Sequence, residues 1–238
     1  MLLPAGFLES FSGALDFIFN DRPSVEGSTQ VGGLGQIWDL TQVHLELSLA
    51  AMAVGLLVAL PIGVYLGHMG RGEFFAVAAG NAGRAIPELV LIAFLIAFVG
   101  TGFLNLTIAL AILAIPPILT NTFVGIRQAD RTAIEAARGM GMSEGQVALR
   151  VELPLAAPTI MTGVRTAAIN VIATATIAPL AGTLTLGDFI LSRNVYGDEG
   201  VLAGAILVAL LALLTELGLA AIQRGITPRG LKLQRATS

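Results

Sequence analysis

Two histidines, a single lysine and no cysteine limit the covalent chemistry open to this chain. Without thiols there is no disulfide, zinc–thiolate site or cysteine nucleophile. His44 and His68 stand far apart and lack neighbours at ligand spacing, so no metal site is expected. Lys232, the sole lysine, lies near the C-terminus, and no GxxxxGK[ST] phosphate loop surrounds it. No Ser/His, paired-Asp or HExxH arrangement of an intramembrane protease is legible. What remains is polar chemistry in apolar surroundings. Arg84 and Glu88 are four apart, and Asn121, Thr122, Asn170, Thr174 and Thr176 recur within apolar runs. Polar groups in hydrocarbon are costly, so such residues line a wet path, pair with one another or bridge helices. Arg84 and Glu88 read either as a self-neutralised pair near an interface or as the lining of an inner path. The Asn and Thr side chains likewise read as path lining or as helix bridges.

The elements that must position these groups follow from composition. Of 238 residues, 55% are hydrophobic and 12% charged, and mean hydropathy is +0.83. Soluble domains carry about twice that charged fraction, so the expectation is an all-α integral membrane protein. The net charge of −3 argues against a nucleic-acid partner. A crossing needs about 20 apolar residues, and five stretches are read as spans: roughly 41–66, 84–99 (the shortest), 104–126, 156–181 and 201–223. Pro61 and Gly63 could kink the first, and Pro116-Pro117 bends the third. Before them, residues 1–20 place Leu3, Phe7, Phe11, Leu15 and Ile18 on one helical face, which predicts a helix lying on the membrane surface. Residues 21–40 read as a loop. Residues 74–81 suit a short interfacial helix. In an outer loop at 183–200, Asp188 is placed to cap a short helix.

Arg71, Arg127, Arg131, Arg138, Arg150, Arg224, Arg229, Lys232 and Arg235 fall on one side of this five-span scheme, and only Arg22 and Arg193 on the other. By the positive-inside rule the loop at 127–155 and the C-terminus are cytoplasmic and the N-terminus is outside. The chain divides accordingly into an extracytoplasmic segment (1–40), a transmembrane domain (41–224) and a basic cytoplasmic tail (225–238). Arg165 and Glu216 then lie roughly 10–14 Å from the same membrane face at 1.5 Å per residue. Each is costly alone at that depth, so the two are expected to form an ion pair. Alanines at 167, 168, 173, 175, 178 and 181 suit close helix packing, expected here at an interface between subunits around a central path.

The polar interval Arg131–Pro154 stands between apolar runs and reads as helix, turn, helix. Thr132–Arg138 are good helix formers, Gly139 and Gly141 reverse the chain, Ser143 caps a second helix, and Pro154 marks its boundary. Its pattern is Glu135-Ala136-Ala137, three residues, Gly141, nine residues, Val151, one residue, Leu153-Pro154. This resembles the EAA loop of binding-protein-dependent ABC importer permeases. Further stretches resemble the osmoprotectant subgroup of these permeases: His44-Leu45, Gly67-His68, Arg84 to Pro87, Asn121 to Ile126, Ala136 to Met142, Val151 to Leu155 and Gly187 to Ile190. Together they cover roughly residues 40–230. Glu88 and Thr183-Leu184-Thr185 depart from that pattern.

The resemblance implies a five-span bundle with a cytoplasmic coupling helix, and Arg131, Glu135, Ala136, Ala137, Arg138, Gly141, Leu153 and Pro154 as the contact with an ATPase. It implies two ATPase subunits carrying ATP and magnesium, a second permease, an external solute-binding protein, and surrounding lipid. Arg84, Glu88, Asn121, Thr122, Asn170 and Thr174 would line the path. The location implied is the bacterial inner membrane, and the solutes are glycine betaine, choline, carnitine or proline betaine. One Trp and two Tyr, widely separated, do not make an aromatic cage for a quaternary ammonium, so a high-affinity cage is expected on the separate binding protein. A methionine or other amino-acid permease is the alternative within the class. An ion-coupled secondary transporter is the alternative outside it, and no inverted repeat with matched broken helices supports that.

Overall fold

The structure is a computed structural model that describes residues 5–74, 78, 80 and 86–227. The described chain is almost entirely helical. Helix α1 spans Ala5–Phe19, and a two-stranded antiparallel ribbon follows, β1 (Asp21–Pro23) against β2 (Gln30–Gly32), with Arg22 opposite Val31. The long helix α2 spans Gly33–Met69, α3 Glu88–Val99 and α4 Phe103–Arg127. The polar interval holds α5 (Arg131–Gly139) and α6 (Glu144–Val147), then a π turn (Ala148–Glu152) leading into α7 (Leu153–Thr174). A 3-10 stretch (Ala175–Ala181), α8 (Gly187–Leu191) and α9 (Arg193–Ile226) complete the order.

Four segments are long and apolar enough to cross a membrane: Gly33–Met69, Phe103–Arg127, Glu144–Ala181 and Arg193–Ile226. Helix α3 is strongly apolar but has 12 residues, about 18 Å against a hydrocarbon layer of about 30 Å. The beginning of the expected second crossing, 81–85, lies outside the described residues, as do residues 1–4 and 228–238. Residues 21–40, expected as a loop, instead form the ribbon and the first two turns of α2. Gly32 and Gly33, at φ +84° and +69°, supply the sharp turn from strand into helix.

By contacts the chain falls into two compact units. The first comprises Met1–Ala51, Glu88–Leu110 and Val171–Leu214. Its core gathers Ala14, Phe17 and Ile18 of α1 with Val31, Leu40, Leu186, Phe189, Tyr196 and Ala203. Phe17, Phe189 and Tyr196 meet edge to face, with centroids 4.9–6.1 Å apart. Buried Asp188 accepts hydrogen bonds from Tyr196 Oη (2.6 Å) and Ser192 Oγ (2.9 Å). It does not cap α8, because those two hydroxyls hold it inside the turn. Of the α1 face expected against the membrane surface, Ile18 is buried. Phe11 and Leu15 are exposed, whereas Phe17, outside the expected apolar face, is fully buried. The aromatic cluster decides which side of α1 turns inward.

The second unit comprises Met52–Pro87, Ala111–Asn170 and Thr215–Ser238. Here glycine brings α2 and α4 together. A Cβ on Gly55 would fall 2.9 Å from Ala114 Cβ, one on Gly63 2.7 Å from Thr122 Cβ, and one on Gly67 2.7 Å from Ile126 Cβ. The α4–α7 contact repeats the device, since a Cβ on Gly163 would lie 2.6 Å from the Pro117 carbonyl oxygen. Small residues let helix backbones approach where lipid supplies no hydrophobic drive between helices. The alanines of the fourth apolar segment serve this chain's own packing. Ala167, Ala168, Ala175, Ala178 and Ala181 are buried within it, and of the six only Ala173 is exposed.

Replacing Gly63 with Val overpacks the α2–α4 seam. It should cost about 1–3 kcal/mol and lower the melting temperature in detergent, whereas Val at the open position Gly218 should leave the seam intact. Equal melting temperatures for the two variants would show that the close approach is not limiting.

Candidate functional site

The polar interval is built by its caps. Asp130 begins α5, its Oδ1 accepting from Thr132 N at 2.8 Å. The helix closes with Gly141 at φ +85°, where Met142 N reaches Ala137 O and Gly141 N reaches Arg138 O. That pairing is a Schellman motif, and it requires a left-handed residue at this position. Ser143 then starts α6 in a capping box. Its Oγ accepts from Gln146 N, and Gln146 Oε1 accepts from Ser143 N at 2.9 Å. Pro154 does not end the second helix. The π turn at 148–152 widens the ladder just before the proline ring and lets the chain run on into α7.

The result is a helical hairpin with a strongly amphipathic α5. Ala137 is buried, while Arg131, Glu135, Ala136, Arg138 and Gly141 are exposed. Glu144 accepts a 2.8 Å bond from Arg138 Nη2. This bond, and then the carboxylate's charge, pushes the Arg138 guanidinium above its ordinary pKa. Behind the hairpin is a polar cavity of about 280 Å³, lined among others by His68, Arg127, Arg131, Glu135, Arg138 and Glu152. Sequence reasoning set His68 aside for want of ligand-spaced neighbours. Its partner Glu152 lies 84 positions away, and only the fold pairs them.

A second cavity, about 420 Å³, opens between α4 and α7 in the same unit. Gly80, Pro116, Pro117, Thr120, Asn121, Thr162, Thr166 and Asn170 contribute to its wall. Among the described residues that line it, none carries a formal charge. Asn121 donates Nδ2 to Pro117 O at 2.8 Å, which leaves its amide oxygen as an acceptor. Of the residues expected along a path, Asn121 and Asn170 meet here. Thr122 does not: it is fully buried against Gly63, and its Oγ1 has no hydrogen-bond partner. Thr174 is buried and Glu88 exposed, both in the first unit. Arg84, and with it the Arg84–Glu88 pair, lies outside the described residues.

Arg165 and Glu216 are brought together. Arg165 Nε donates to Glu216 Oε2 at 3.2 Å, Nη2 contacts Oε1, and Nη1 donates to Gln223. Gln223 Nε2 in turn donates to Pro158 O (2.7 Å) and to Thr162 Oγ1 (3.2 Å). The fork geometry lets one guanidinium hold two residues of α9 against α7.

Apolar helices long enough to cross a membrane, a cavity with amide and hydroxyl groups in its wall and a capped hairpin outside the apolar runs are the features of a membrane transport subunit. Residues 52–228 match the family described as the binding-protein-dependent transport system inner membrane component, and the chain belongs to that family. It is 40% identical over 203 residues to the carnitine transport permease protein OpuCB of Listeria monocytogenes, covering 85% of this chain and 91% of that protein. It is 38% identical over 199 residues to the choline transport system permease protein OpuBB of Bacillus subtilis, covering 83% and 92%. To the glycine betaine/carnitine/choline permease protein OpuCB of Bacillus subtilis it is 36% identical over 205 residues, covering 86% and 94%. Among solved structures, an inward-facing MetNI methionine ABC transporter superposes with a TM-score of 0.70 at 22% identity, over 82% of this chain and 98% of that one. An amino acid ABC transporter crystallised with histidines gives 0.62 at 18%, over 94% and 99%. These likenesses establish the ABC importer permease fold. The chain is thus a transmembrane permease subunit of the inner membrane.

Arg165→Ala and Glu216→Ala should each lower thermal stability in detergent. The double variant should cost less than their sum by about 0.5 kcal/mol or more, the usual lower bound for coupled contacting pairs. Strict additivity would mean that the pair contributes nothing beyond its separate side chains.

Proposed function

We propose that this chain is a permease subunit of an ATP-driven importer for trimethylammonium osmoprotectants, namely glycine betaine, carnitine or choline. The observation that carries this is the likeness to three permeases of such solutes at 36–40% identity over more than four fifths of the chain. The cavity between α4 and α7 is compatible with it. Amide and hydroxyl groups solvate a polar solute without the fixed charge that would trap a cation or a zwitterion in transit. Asn121 and Asn170 are the path residues we assign there, while the aromatic cage for tight binding belongs to the separate solute-binding protein.

In this reading the chain crosses the membrane five times, with apolar α3 marking the crossing beyond the four long segments. Residues 1–40 are extracytoplasmic, 41–224 form the transmembrane domain, and 225–238 are the cytoplasmic tail. The positive-charge bias supports that orientation. The chain pairs with a second permease, identical or homologous, and with two ATPases that bind ATP and magnesium; it makes and breaks no covalent bond itself. The α5–α6 hairpin is the coupling element. Arg131, Glu135, Ala136, Arg138 and Gly141 present its outward surface to an ATPase groove, and Leu153-Pro154 carry displacement into α7. ATP-driven closure of the ATPases then biases the spans between two orientations of the path.

Co-expressed with its ATPase and binding protein in cells lacking other betaine uptake, the chain should support saturable uptake of labelled glycine betaine, carnitine or choline and none of methionine. Uptake confined to methionine or another amino acid would replace the solute assignment. In the same cells Gly141→Asp should insert normally yet lower uptake at least about tenfold, because a Cβ there strains the left-handed turn and adds charge to the docking surface. Wild-type uptake by that variant would remove the hairpin from the coupling route.

A further inference from the structure

At the inner edge of the polar cavity behind the hairpin, four side chains from four elements form one line. Glu152, at the end of the π turn, is 4% exposed. Its Oε2 accepts from His68 Nδ1 at 2.7 Å. His68 sits on the last turn of α2, and its Nε2 lies 3.3 Å from Glu144 Oε2 on the first turn of α6. Glu144 is also held by Arg138, on the last turn of α5, at 2.8 Å. A carboxylate can only accept, so the tautomer with a proton on Nδ1 is fixed by its partner.

These contacts differ in weight. The Arg138–Glu144 pair is open to water, and pairs of that kind contribute about 0–1 kcal/mol. Glu152 is a different case. A carboxylate so enclosed requires a partner, and losing it leaves a buried charge without compensation. The structure around His68 prevents simple retreat. Gly67 before it is pressed on Ile126, and α2 ends in a Schellman turn through Gly70 (φ +63°), with Arg71 N on Leu66 O and Gly70 N on Gly67 O. The imidazole is therefore mounted on a rigid helix end, whereas Glu152 belongs to a π turn. Such turns are inserted at positions that work more often than at positions that only pack.

We propose that His68 is a positioning residue that locks the loop hairpin and the π turn to the end of α2. Displacement of the hairpin is then delivered to α2 and α7 together, not to α7 alone. The geometry supplies the reason. Without His68 the hairpin is joined covalently to α4 on one side and to α7 on the other, and its hold on α2 passes through this buried pair. The polar cavity beside the line gives the hairpin water-filled room in which to tilt, so rigidity at the pair decides whether a push is transmitted or absorbed. This inference rests on the hairpin being the element that an ATPase moves.

The test uses the assembled transporter, and the purified chain for a readout independent of ATPases. In detergent, hydrogen exchange over residues 131–147 should quicken about tenfold in His68→Ala and less than twofold in His68→Asn, whose amide nitrogen stands at the Nδ1 position and can still donate to Glu152. Unchanged exchange in His68→Ala would overturn the lock. In proteoliposomes, solute moved per ATP hydrolysed should fall at least fivefold in His68→Ala, with the ATPase subunits still co-purifying, and should return to within twofold of wild type in His68→Asn. A wild-type ratio in His68→Ala would overturn transmission through α2. Should His68→Ala fail to assemble, Glu152→Met keeps the side-chain length and removes the acceptor. It should also lower the ratio, and a wild-type ratio there would likewise overturn the proposal. A wild-type chain that neither retains an ATPase nor transports would instead overturn the importer reading, and the exchange measurement would still judge the lock.

Discussion

Hydrocarbon offers a backbone no hydrogen-bond partner, so each place where a helix of this chain ends or changes pitch must be satisfied from within. The apolar helices are long enough that these places are few, and a polar side chain serves several of them. At the junction of α7 with the 3-10 stretch, pairing shifts from four residues to three and strands a carbonyl. Ile172 O there takes Nε2 of the fully buried His44 at 3.0 Å. Three residues on, Ala175 O takes Thr185 Oγ1 at 2.8 Å. Where α3 stops, Gly100 O accepts from Asn105 Nδ2 at 2.6 Å, and Gly102 N reaches Ala181 O. Beside the prolines of α4 and α7, Asn121 and Gln223 bond Pro117 O and Pro158 O. Buried polar side chains here are mostly an accounting of broken ladders.

That constraint separates the polar residues that hold the fold from those free to meet a solute. His44 and Asn105 are committed to carbonyls. Asn121 bridges both roles, since its amide nitrogen is committed to Pro117 O and the residue lines the cavity. Thr122 is neighbour to Asn121 in sequence but turned by 100° around the helix, into the glycine seam with α2. The seam explains why: Gly63 leaves room for one branched side chain and for little else.

Outside the apolar runs the same chain uses a different economy of contacts. The hairpin α5–α6 is water-exposed, and its shape depends on local devices: an Asp N-cap, a Gly Schellman turn and a Ser/Gln capping box. Such devices act over three to six residues, so the hairpin is formed before it is docked. Its anchorage includes the opposite kind of interaction, the buried pair between residues 68 and 152, beside the buried Ala137 and Val147. A stiff surface element held at its base by covalent continuity and a few buried contacts is suited to being moved as a body.

The sequence by itself determined the class of molecule, the four long crossings to within a few residues apart from an earlier start to the first and last, the capped hairpin and the family. Each rests on composition, on uninterrupted apolar length or on motifs of short range, and tertiary context does not reverse those. It also brought Arg165 to Glu216, because depth in a bilayer is a one-dimensional quantity that residue counting reaches. Rotation about a helix axis is not. Which side of α1 turns inward, that Asp188 serves Tyr196 and Ser192 instead of a cap, that Thr122 leaves the cavity, and that α2 begins eight residues early behind a β-ribbon are all set by packing between segments distant in sequence. Pro154 marks a change from π to α pitch instead of a break, since the five-residue π turn that ends two residues before it relieves the clash that proline normally imposes. The His68–Glu152 pair belongs with these, because two side chains 84 residues apart become partners only when the end of α2 and the start of α7 share one wall.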